Sequence, residues 1–457
     1  MQPTVTIIGG GFAGTEAAWA AANLGSRVLL YEMRPHRSTP VHRTGDLAEL
    51  VCSNSFKSNR LTNASGVLKE EMRRLGSLVL AVAERYPVPA GEALAVDRQP
   101  FARAITDAVT NHPNITLIRE EMTALPSDRP LIVATGPLTS DALAAALKPL
   151  IGDALHFYDA VAPTITQDSL DMSRIFRASR FNKTADPDRA ATADGDYLNC
   201  PMSKEEYERF YHELLNAEKA ELHEFEREDK TIYFEMCLPI EELAARGPKT
   251  CAYGPMKPIG LRDPITGRRP YAVVQLRPDN LEGTLWGMVG FQTRLKWGEQ
   301  QRVFRLIPGL ENAEFVRYGV MHRNTYICSP RLLDKGLMMK SQPGLFMAGQ
   351  ITGVEGYIES AATGLLAGIN AHRWCKRLPP FIPPRETVLG SLLAYITETS
   401  PERFAPMNAN FGLLPEPLEP ARDKRERARQ KSDRAINALE RAIDAAKPTR
   451  VEIDSNH

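Results

Sequence analysis

A glycine-rich turn close to the N-terminus has the clearest chemical potential in this sequence. Gly9, Gly11 and Gly14 form a G-x-G-x-x-G pattern after a β-branched run and before an alanine-rich stretch. The first glycine allows a tight bend, the second lets a pyrophosphate approach the backbone, and the third lets helix and strand pack closely. Glu32 follows where a carboxylate can accept hydrogen bonds from ribose hydroxyls. The pattern predicts a dinucleotide site, and the acid favours FAD or NAD over a nucleotide with a 2′-phosphate.

A second glycine-rich segment distinguishes between these two cofactors. Residues 344–349 read as a strand that ends in glycine, and Gly356 precedes a helix of small residues. This arrangement is typical of the second FAD-binding segment of flavoproteins, as is the Ala-Thr-Gly that ends at Gly136, although Gln350 stands where an acid is usual. We therefore predict FAD. Without a second G-x-G-x-x-G pattern, NADH or NADPH would bind beside the flavin only as a reductant. The predicted cofactor-binding residues are Gly9, Gly10, Gly11, Phe12, Ala13, Gly14, Glu32, Gly136, Gly349, Gln350 and Gly356.

Two of the six cysteines lie in segments that differ from the surroundings of a structural thiol. Cys52 precedes a Ser-Asn-Ser run at 53–55, whose hydrogen-bond donors favour a thiolate. Cys237 lies in a strand-like run that ends at Pro239. A cysteine is more often a small buried apolar residue, and we interpret the other four in that way. Considered by its chemistry alone, Cys237 does not stand out.

These residues require a scaffold that brings distant segments together. Residues 4–8, 15–24 and 27–31 read as strand, helix and strand, and this βαβ unit predicts a parallel sheet. The α/β pattern is lost after about residue 181 and returns near Gly344. We predict an α/β fold, in which a Rossmann-like FAD-binding domain is interrupted by an inserted α+β domain. The predicted boundaries are 1–180 for the first part of the FAD-binding domain, 181–324 for an inserted substrate domain, and 325–457 for the second part with C-terminal helices.

The composition is that of a globular protein. Of 457 residues, 43% are apolar and 25% are charged, and no apolar run approaches the length of a membrane span. The N-terminus has no basic leader, and the irregularly spaced cysteines form neither a disulfide framework nor a metal site. These features predict a cytoplasmic protein without a bound metal or a membrane partner.

Several longer stretches of the sequence resemble one known family. They are TIIGGGFAGTEAAWAAA near the N-terminus, PVHRT through AELVCSNSFKSN, AVDR, YFEMCLPIEE, YAVVQLR, MVGFQT, HRNTY, MAGQITGVEGYIESAATG and PMNANFGLLP. On these stretches the chain is similar to the folate- and FAD-dependent tRNA (uracil-5-)-methyltransferases, and the two cysteine segments are the most specific points of resemblance. Larger flavoproteins that modify wobble uridines share the N-terminal pattern, but they carry a further helical domain.

The resemblance implies a methyl transfer to a uridine in the tRNA T-loop. NADH or NADPH would reduce FAD, and methylenetetrahydrofolate would supply the carbon by way of the flavin. A thiolate that adds to uracil activates the neighbouring ring carbon, and a base must then remove a proton from that carbon. The family resemblance assigns Cys237 as the nucleophile and Cys52 as the partner near the flavin, acting as general base. It implies tRNA and folate as partners and leaves the oligomeric state open.

The resemblance also implies sites for folate and RNA. A pterin needs an aromatic or imidazole face to stack on, which His322 or Tyr357 could provide, and core or surface roles for all five candidates remain open. A flipped uridine must reach the flavin, and the insert would hold it there. The substrate candidates are His42, Arg98, His322, Arg323 and Tyr357.

Three other functions compete with tRNA methylation. The same chemistry could act on a uridine of ribosomal RNA, and nothing in the sequence excludes it. The chain could instead be a flavoprotein scaffold or an oxidoreductase in a complex that modifies wobble uridines, although a scaffold has no need of two placed thiols. A plain NAD(P)H oxidoreductase would leave Cys237 unused.

The zero net charge conceals segments of opposite sign. Lys and Arg together number 56, as do Asp and Glu. Residues 205–229 carry 10 acids and 3 bases, whereas residues 246–305 carry 11 bases and 4 acids. Residues 421–450 carry 10 bases and 5 acids, in a helix that could equally be a solvated face. The 246–305 stretch predicts a surface that faces RNA phosphates.

Overall fold

The computed structural model describes residues 3–39, 41–152, 155–182, 195–220, 238–319 and 321–446. The side chains of 155–160, 182 and 321–323 are outside this description. The helices are α1 Phe12–Asn23, α2 Ala64–Arg74, α3 Leu78–Ala83, α4 Arg98–Thr110, α5 Asp141–Ile151, α6 Lys204–Asn216, α7 Ile240–Ala245, α8 Thr250–Tyr253, α9 Trp297–Phe304, α10 Ser329–Leu332, α11 Tyr357–Cys375, α12 Val388–Glu398 and α13 Lys424–Ala446. The strands are β1 Thr4–Ile8, β2 Arg27–Tyr31, β3 Ser55–Ser58, β4 Pro87–Val88, β5 Ala93–Val96, β6 Ile115–Ile118, β7 Leu131–Val133, β8 Leu155–Ala160, β9 Thr164–Thr166, β10 Phe176–Arg177, β11 Leu198–Met202, β12 Ala272–Pro278, β13 Leu285–Met288, β14 Phe315–Arg317, β15 Met321–Tyr326 and β16 Leu345–Met347.

The described residues form two layers, each built on one large sheet. A five-stranded parallel sheet forms the centre of the first layer. Its order is β16-β7-β1-β2-β6, so strands from both ends of the chain lie side by side. The predicted strands at 4–8 and 27–31 coincide with β1 and β2. Helix α1 begins at Phe12, earlier than predicted, because Gly11 is its N-cap. The prediction of an α/β fold with a Rossmann-like parallel sheet is confirmed.

Close packing of two small-residue helices fixes the geometry of this layer. A Cβ atom at Gly364 would lie 2.1 Å from the Ala13 carbonyl oxygen, and one at Gly368 would lie 2.3 Å from that of Ala17. Helices α1 and α11 therefore approach each other at distances that a larger side chain would prevent. Their contact holds the two glycine-rich segments of the sequence side by side.

A second, antiparallel sheet forms a separate unit with its own core. Its order is β10-β11-β12-β13-β9-β14, and its buried core runs in sequence from Ile165 to Ala313. Strands β9 and β10 lie before residue 181, so this sheet begins earlier than the predicted insert and ends near β14. They are only 3 and 2 residues long, too short to show a period of two in the sequence. Judged from the strands of this sheet, the segment that separates the two parts of the first layer runs from about 161 to 319. The division into domains stays a prediction.

Two small sheets join the layers. Strands β8 and β15 pair antiparallel at the two crossings into and out of the second unit, and β3, β5 and β4 form a three-stranded sheet beside the parallel one. The Asn54 amide donates to the Val96 carbonyl oxygen at 3.0 Å and to that of Pro278 at 3.1 Å. Asn54 therefore ties the residues next to Cys52 to both the small sheet and strand β12.

The C-terminal helix α13 packs with one face on the first layer. Leu439 is buried, whereas Ile436 and Ile443 are half-buried. Lys431 is also buried and donates to the Phe411 carbonyl oxygen at 2.9 Å. Among the described helices, none is long and apolar enough to cross a membrane.

Candidate functional site

The first glycine turn has the geometry of a phosphate cradle. Gly9 has φ +104°, a conformation that L-residues rarely adopt, and a Cβ atom at Gly14 would lie 1.7 Å from the Gly9 carbonyl oxygen. A Cβ atom at Gly11 would meet no heavy atom within 4 Å. Gly9 and Gly14 thus serve the turn and its packing, while Gly11 leaves open space for a ligand at the N-terminus of α1.

This difference predicts that two matched substitutions affect different properties, one FAD binding and the other stability. Gly11→Ala should fold normally, because its φ of −77° suits alanine and the space is open. It should nevertheless bind FAD at least about tenfold more weakly, because the methyl group occupies the phosphate's space. Gly14→Ala should lower the melting temperature, because the backbone must move. Thermal unfolding of the FAD-free proteins and flavin titration separate the two effects. Equal loss of stability in both variants would contradict this division of roles.

Glu32 directly follows strand β2 and is held by its neighbours. One carboxylate oxygen accepts the Gly10 N–H at 2.8 Å, and the other accepts the Arg34 backbone N–H at 3.0 Å and Nε at 2.9 Å. Burial alone would raise the pKa of Glu32, but Arg34 and the backbone donors outweigh it and hold the pKa below its usual value. The carboxylate is therefore ionised and fixed at the edge of the cavity, where a ribose hydroxyl can donate to it.

The second glycine segment faces the first across the same space. A Cβ atom at Gly349 would lie 2.8 Å from the Ala13 Cβ, and Gly356 is the N-cap of α11. Gln350, which replaces the acid expected there, donates to the Glu355 carboxylate at 2.6 Å. Glu355 is buried and also lines the cavity. The acid beside this turn is therefore Glu355, five residues further along the chain.

These segments enclose a cavity of about 400 Å³. Every predicted cofactor-binding residue lines it except Gly14, which is used in packing. The open space at Gly11, the ionised Glu32 and the two helix N-termini fit a dinucleotide with a pyrophosphate. The residues that would hold FAD are Gly9, Gly10, Gly11, Phe12, Ala13, Glu32, Gly136, Gly349, Gln350 and Gly356.

Cys52 lies at the border of this cavity on a loop that is held from two sides. Its backbone N–H donates to the Tyr357 hydroxyl oxygen at 2.7 Å, and Tyr357 packs on Phe12 with ring centroids 4.7 Å apart. The Arg98 guanidinium donates to the carbonyl oxygens of Leu50 and Cys52, both at 2.7 Å. Of the substrate candidates, Arg98 and Tyr357 therefore position the Cys52 loop in this structure.

Arg98 also joins the two layers. Its Nε donates to both carboxylate oxygens of Asp279 at 2.9 Å, and Asp279 directly follows strand β12 of the second sheet. Burial alone would raise the pKa of Asp279, but Arg98 and Arg317 outweigh it and hold the pKa below its usual value. This ion pair joins the two layers, and the same guanidinium group also binds the Cys52 carbonyl oxygen.

A second cavity of about 150 Å³ lies on the side of Cys52 toward the insert. Both cavities are lined by Cys52, Ser53, Arg277 and Gln292, so the two spaces adjoin at these residues. The Ile240 backbone N–H donates to the Gln292 carbonyl oxygen at 2.7 Å. Ile240 follows Cys237 by three residues in the sequence.

The remaining candidates have mixed outcomes. His42 lines the large cavity, and its Nδ1 lies 2.6 Å from the Thr39 hydroxyl oxygen. His322 and Arg323 lie in β15, where they pair with residues 159 and 158 of β8, and only their backbone is described. Cys237 lies outside the described residues. Within the described residues, no cluster of His, Cys, Asp and Glu could hold a metal.

Several lining residues were missed in the sequence. Lys57 lines the large cavity and pairs with buried Glu359 at 2.8 Å. Arg277 ends the resembling stretch YAVVQLR, so a signal existed for it, but Asp279 and Arg317 had none. The four cysteines interpreted as structural are buried or half-buried, and burial raises the pKa of Cys251 to about 12.

The parallel sheet, the glycine turn and the cavity between two glycine segments define a dinucleotide-binding protein of the flavoprotein class. The family model described as "Glucose inhibited division protein A" matches residues 4–379. Among solved structures, GidA from Aquifex aeolicus superposes with a TM-score of 0.69 at 17% identity, covering 97% of this chain and 74% of that one. This likeness concerns the fold alone.

Closer relatives are found among curated proteins. The chain is 58% identical to the methylenetetrahydrofolate--tRNA-(uracil-5-)-methyltransferase TrmFO of Desulforudis audaxviator, over 93% of this chain and 94% of that protein. It is 59% identical to the protein of the same name from Moorella thermoacetica, over 92% and 93%. The chain belongs to this methyltransferase family, and the resemblance stated from the sequence is confirmed.

Proposed function

We propose that this protein methylates C5 of a uridine in the T-loop of tRNA. Methylenetetrahydrofolate would donate the carbon, and FAD reduced by NADH or NADPH would complete the reaction. The observation that carries the proposal is the position of Cys52 between a dinucleotide cavity and an arginine-lined cavity, in a chain of this family. The described cysteines are free thiols, which suits a reducing, cytoplasmic setting.

The chain's own residues would perform the following steps. Uracil C5 is a poor nucleophile until a thiolate adds to C6, a role that we propose for Cys237. After C5 has bonded to the donor carbon its proton must leave, and we propose the Cys52 sulfur as the base. Arg98 and Tyr357 hold the Cys52 backbone so that the thiol stays at the border of the two cavities. A transferred methylene group needs two electrons to become a methyl group, and FAD, when bound, supplies this redox chemistry.

A basic segment of the insert supports an RNA substrate. Within residues 246–269 the only acid is Asp263, which is buried, while every lysine and arginine is exposed. The Gly290 turn that lines the second cavity packs against Pro255 of this segment. The exposed cations, which we call the basic segment, are Arg246, Lys249, Lys257, Arg262, Arg268 and Arg269.

The rest of the 246–305 stretch is less suited to bind phosphates. Lys296 pairs with Glu218 at 2.7 Å, and Arg302 pairs with Glu299 at 2.8 Å and with Glu213. Part of the acidic α6 therefore neutralises this end of the basic stretch. The predicted phosphate-facing surface is therefore limited to the basic segment.

Reversing two charges of the basic segment should weaken tRNA binding. In Arg268→Glu/Arg269→Glu, each lost phosphate contact should reduce the slope of log K against log salt by about 1. Binding of a tRNA transcript is measured between low and physiological salt. Arg331→Glu serves as a control, because Arg331 is 66% exposed on the other layer and pairs with Glu402. An unchanged salt slope in the double variant would remove this segment from the interface.

Isotope transfer tests the proposed function itself. The purified protein with FAD and NADH or NADPH receives methylenetetrahydrofolate labelled in the methylene group, with a tRNA transcript or, in a parallel reaction, a ribosomal RNA transcript. We expect label in 5-methyluridine of the T-loop. Flavin reduction without label in any RNA would contradict the proposal, and label only in ribosomal RNA would transfer it to that substrate.

A further inference from the structure

The second cavity carries more positive charge than its described neighbours balance. Arg98, Arg277 and Arg317 line it, and Asp279 is the only acid among its described lining residues. Asp279 is already bound to Arg98 through both carboxylate oxygens. Arg317 lies 3.6 Å from one of these oxygens, so a single carboxylate faces several guanidinium groups.

Two of these guanidinium groups have donor capacity left. Arg277 donates to the Ser53 hydroxyl oxygen at 3.3 Å, and Arg317 donates to that of Thr164 at 2.8 Å. The Nε atoms of Arg277 and Arg317 are buried and have no hydrogen-bond partner within the described residues. A buried donor without an acceptor is costly, so a ligand that supplies oxygen atoms would be stabilised here.

Burial disfavours the protonated form of both arginines. Burial lowers the pKa of Arg277, and burial lowers the pKa of Arg317 to about 10. Because both guanidinium groups still carry a proton near neutral pH, the cavity holds positive charge without full compensation. Negative charge that forms on a bound ligand would be stabilised strongly in this enclosed space.

The walls of the cavity indicate the shape of that ligand. Ala162, Pro163, Met288 and Val289 provide apolar surfaces, and Cys52 lies at the border with the dinucleotide cavity. Apolar walls suit the faces of a flat ring, while the guanidinium groups suit oxygen atoms at its edge. A phosphate or a free carboxylate would meet the arginines equally well, but it would gain nothing from the apolar walls or from the thiol.

We propose that this cavity binds the uracil ring of the target uridine and that Arg277 and Arg317 stabilise the negative charge on its O4. The inference rests on the proposed function. When the thiolate adds to C6, the S–C6 bond forms and the C5–C6 π electrons move to C4–C5, so the C4–O4 π pair becomes an enolate oxygen. When C5 bonds to the donor carbon, an electron pair of that carbon's bond to nitrogen passes to the nitrogen of the donor, and the C4–O4 double bond is restored. Loss of the C5 proton to a base then expels the thiolate.

Substitution of the two arginines tests this inference. Arg277→Gln and Arg317→Gln are compared with the wild-type holoenzyme in single-turnover label transfer at saturating tRNA and folate. We expect each variant to slow transfer by about 10²–10³-fold, as removal of an oxyanion donor does elsewhere. The dissociation constant for tRNA, the half-saturating folate concentration and the rate of flavin reduction should change by less than about twofold. Arg317→Lys, which keeps the charge, should recover part of the rate.

RNA that carries 5-fluorouridine at the target isolates the addition step. Fluorine cannot leave as a proton does, so the adduct with the thiolate accumulates and is counted on a denaturing gel. We expect slower adduct formation in both glutamine variants. Arg174→Lys is the control, because Arg174 lies in the insert but pairs with Glu206 and Glu311.

Other outcomes would overturn the inference in distinct ways. Unchanged transfer with weaker tRNA binding would make the cavity a phosphate site, and a higher half-saturating folate concentration alone would make it a folate carboxylate site. Normal rates in both glutamine variants would remove any role of the arginines toward the enolate. A wild-type protein that transfers no label at all would instead contradict the proposed function.

Discussion

Replacement of Cys52 by alanine is expected to abolish methyl transfer while leaving the flavin bound. Cys52 borders both cavities, and its backbone accepts from Arg98 and donates to Tyr357. Alanine keeps these backbone contacts and removes only the thiol. If that thiol removes the C5 proton, single-turnover label transfer should fall by about 10²–10⁴-fold, the range of a lost general base.

The same substitution at another cysteine is a matched control. Cys375 is a half-buried free thiol at the end of α11, and it lines neither cavity. Cys375→Ala should transfer label at the wild-type rate. Flavin absorbance and reduction by NADPH should be normal in both variants. If Cys52→Ala transferred label within about twofold of wild type, the thiol would have no role in the chemistry.

Cys237→Ala should stop the reaction at an earlier point. Without the nucleophile neither methylated product nor the adduct with 5-fluorouridine RNA should form, whereas Cys52→Ala should still form the adduct. The gel that detects the adduct thus separates the two cysteines. The reverse pattern would exchange the roles that the family resemblance assigns to them.

Local patterns explain why the dinucleotide site was predictable. The functions of Gly9, Gly11 and Gly14 depend on neighbours within a single βαβ unit, so their spacing alone reports the turn. The second segment was predictable for a similar reason, because a glycine-ended strand and a small-residue helix are consecutive in the sequence. Even there, the pattern did not show that the Gln350 amide donates to the Glu355 carboxylate, since a hydrogen bond of 2.6 Å leaves no trace in a one-dimensional pattern.

The second cavity could not be predicted, because its residues are separated by long stretches of chain. Arg98 and Asp279 are 181 residues apart, and each is an ordinary charged residue in its own segment. Arg317 lies in a strand of 3 residues that pairs with another strand of 3 residues, β9. Only the long-range pairing of these short strands shows that the antiparallel sheet begins before residue 181 and that it reaches the Cys52 loop.

The ion pair between Arg98 and Asp279 should be worth far more than one on the surface. The side chain of Asp279 is 7% exposed and that of Arg98 is 15% exposed, so the loss of either partner leaves a charge with little access to water. We expect Asp279→Ala to lower the free energy of unfolding by about 3–5 kcal/mol, as in other buried pairs that lose one partner. Chemical denaturation of the FAD-free protein measures this change.

A double variant distinguishes the pair from general damage to the fold. In Arg98→Met/Asp279→Leu both charges of the pair are removed together and only Arg317 loses a carboxylate neighbour. The loss of stability should therefore be smaller than the sum of the two single losses. Additive losses would show that the two side chains do not act as a pair. A loss below about 1 kcal/mol in Asp279→Ala would place the pair among surface salt bridges instead.

The pH dependence gives an independent measure of the same interaction. The folded-state pKa of Asp279 is held below the ordinary value of 3.8, so its contribution to stability is present above that pH and is lost as the pH falls through the depressed value. Asp279→Asn should remove this part of the acid sensitivity, and its stability curve should approach that of the wild type only at low pH.

Because the Arg98 guanidinium that binds Asp279 also binds the Cys52 carbonyl oxygen, Asp279→Asn should slow label transfer as well as destabilise the fold. Slower transfer with unchanged tRNA binding would show that the contact between the layers positions the thiol.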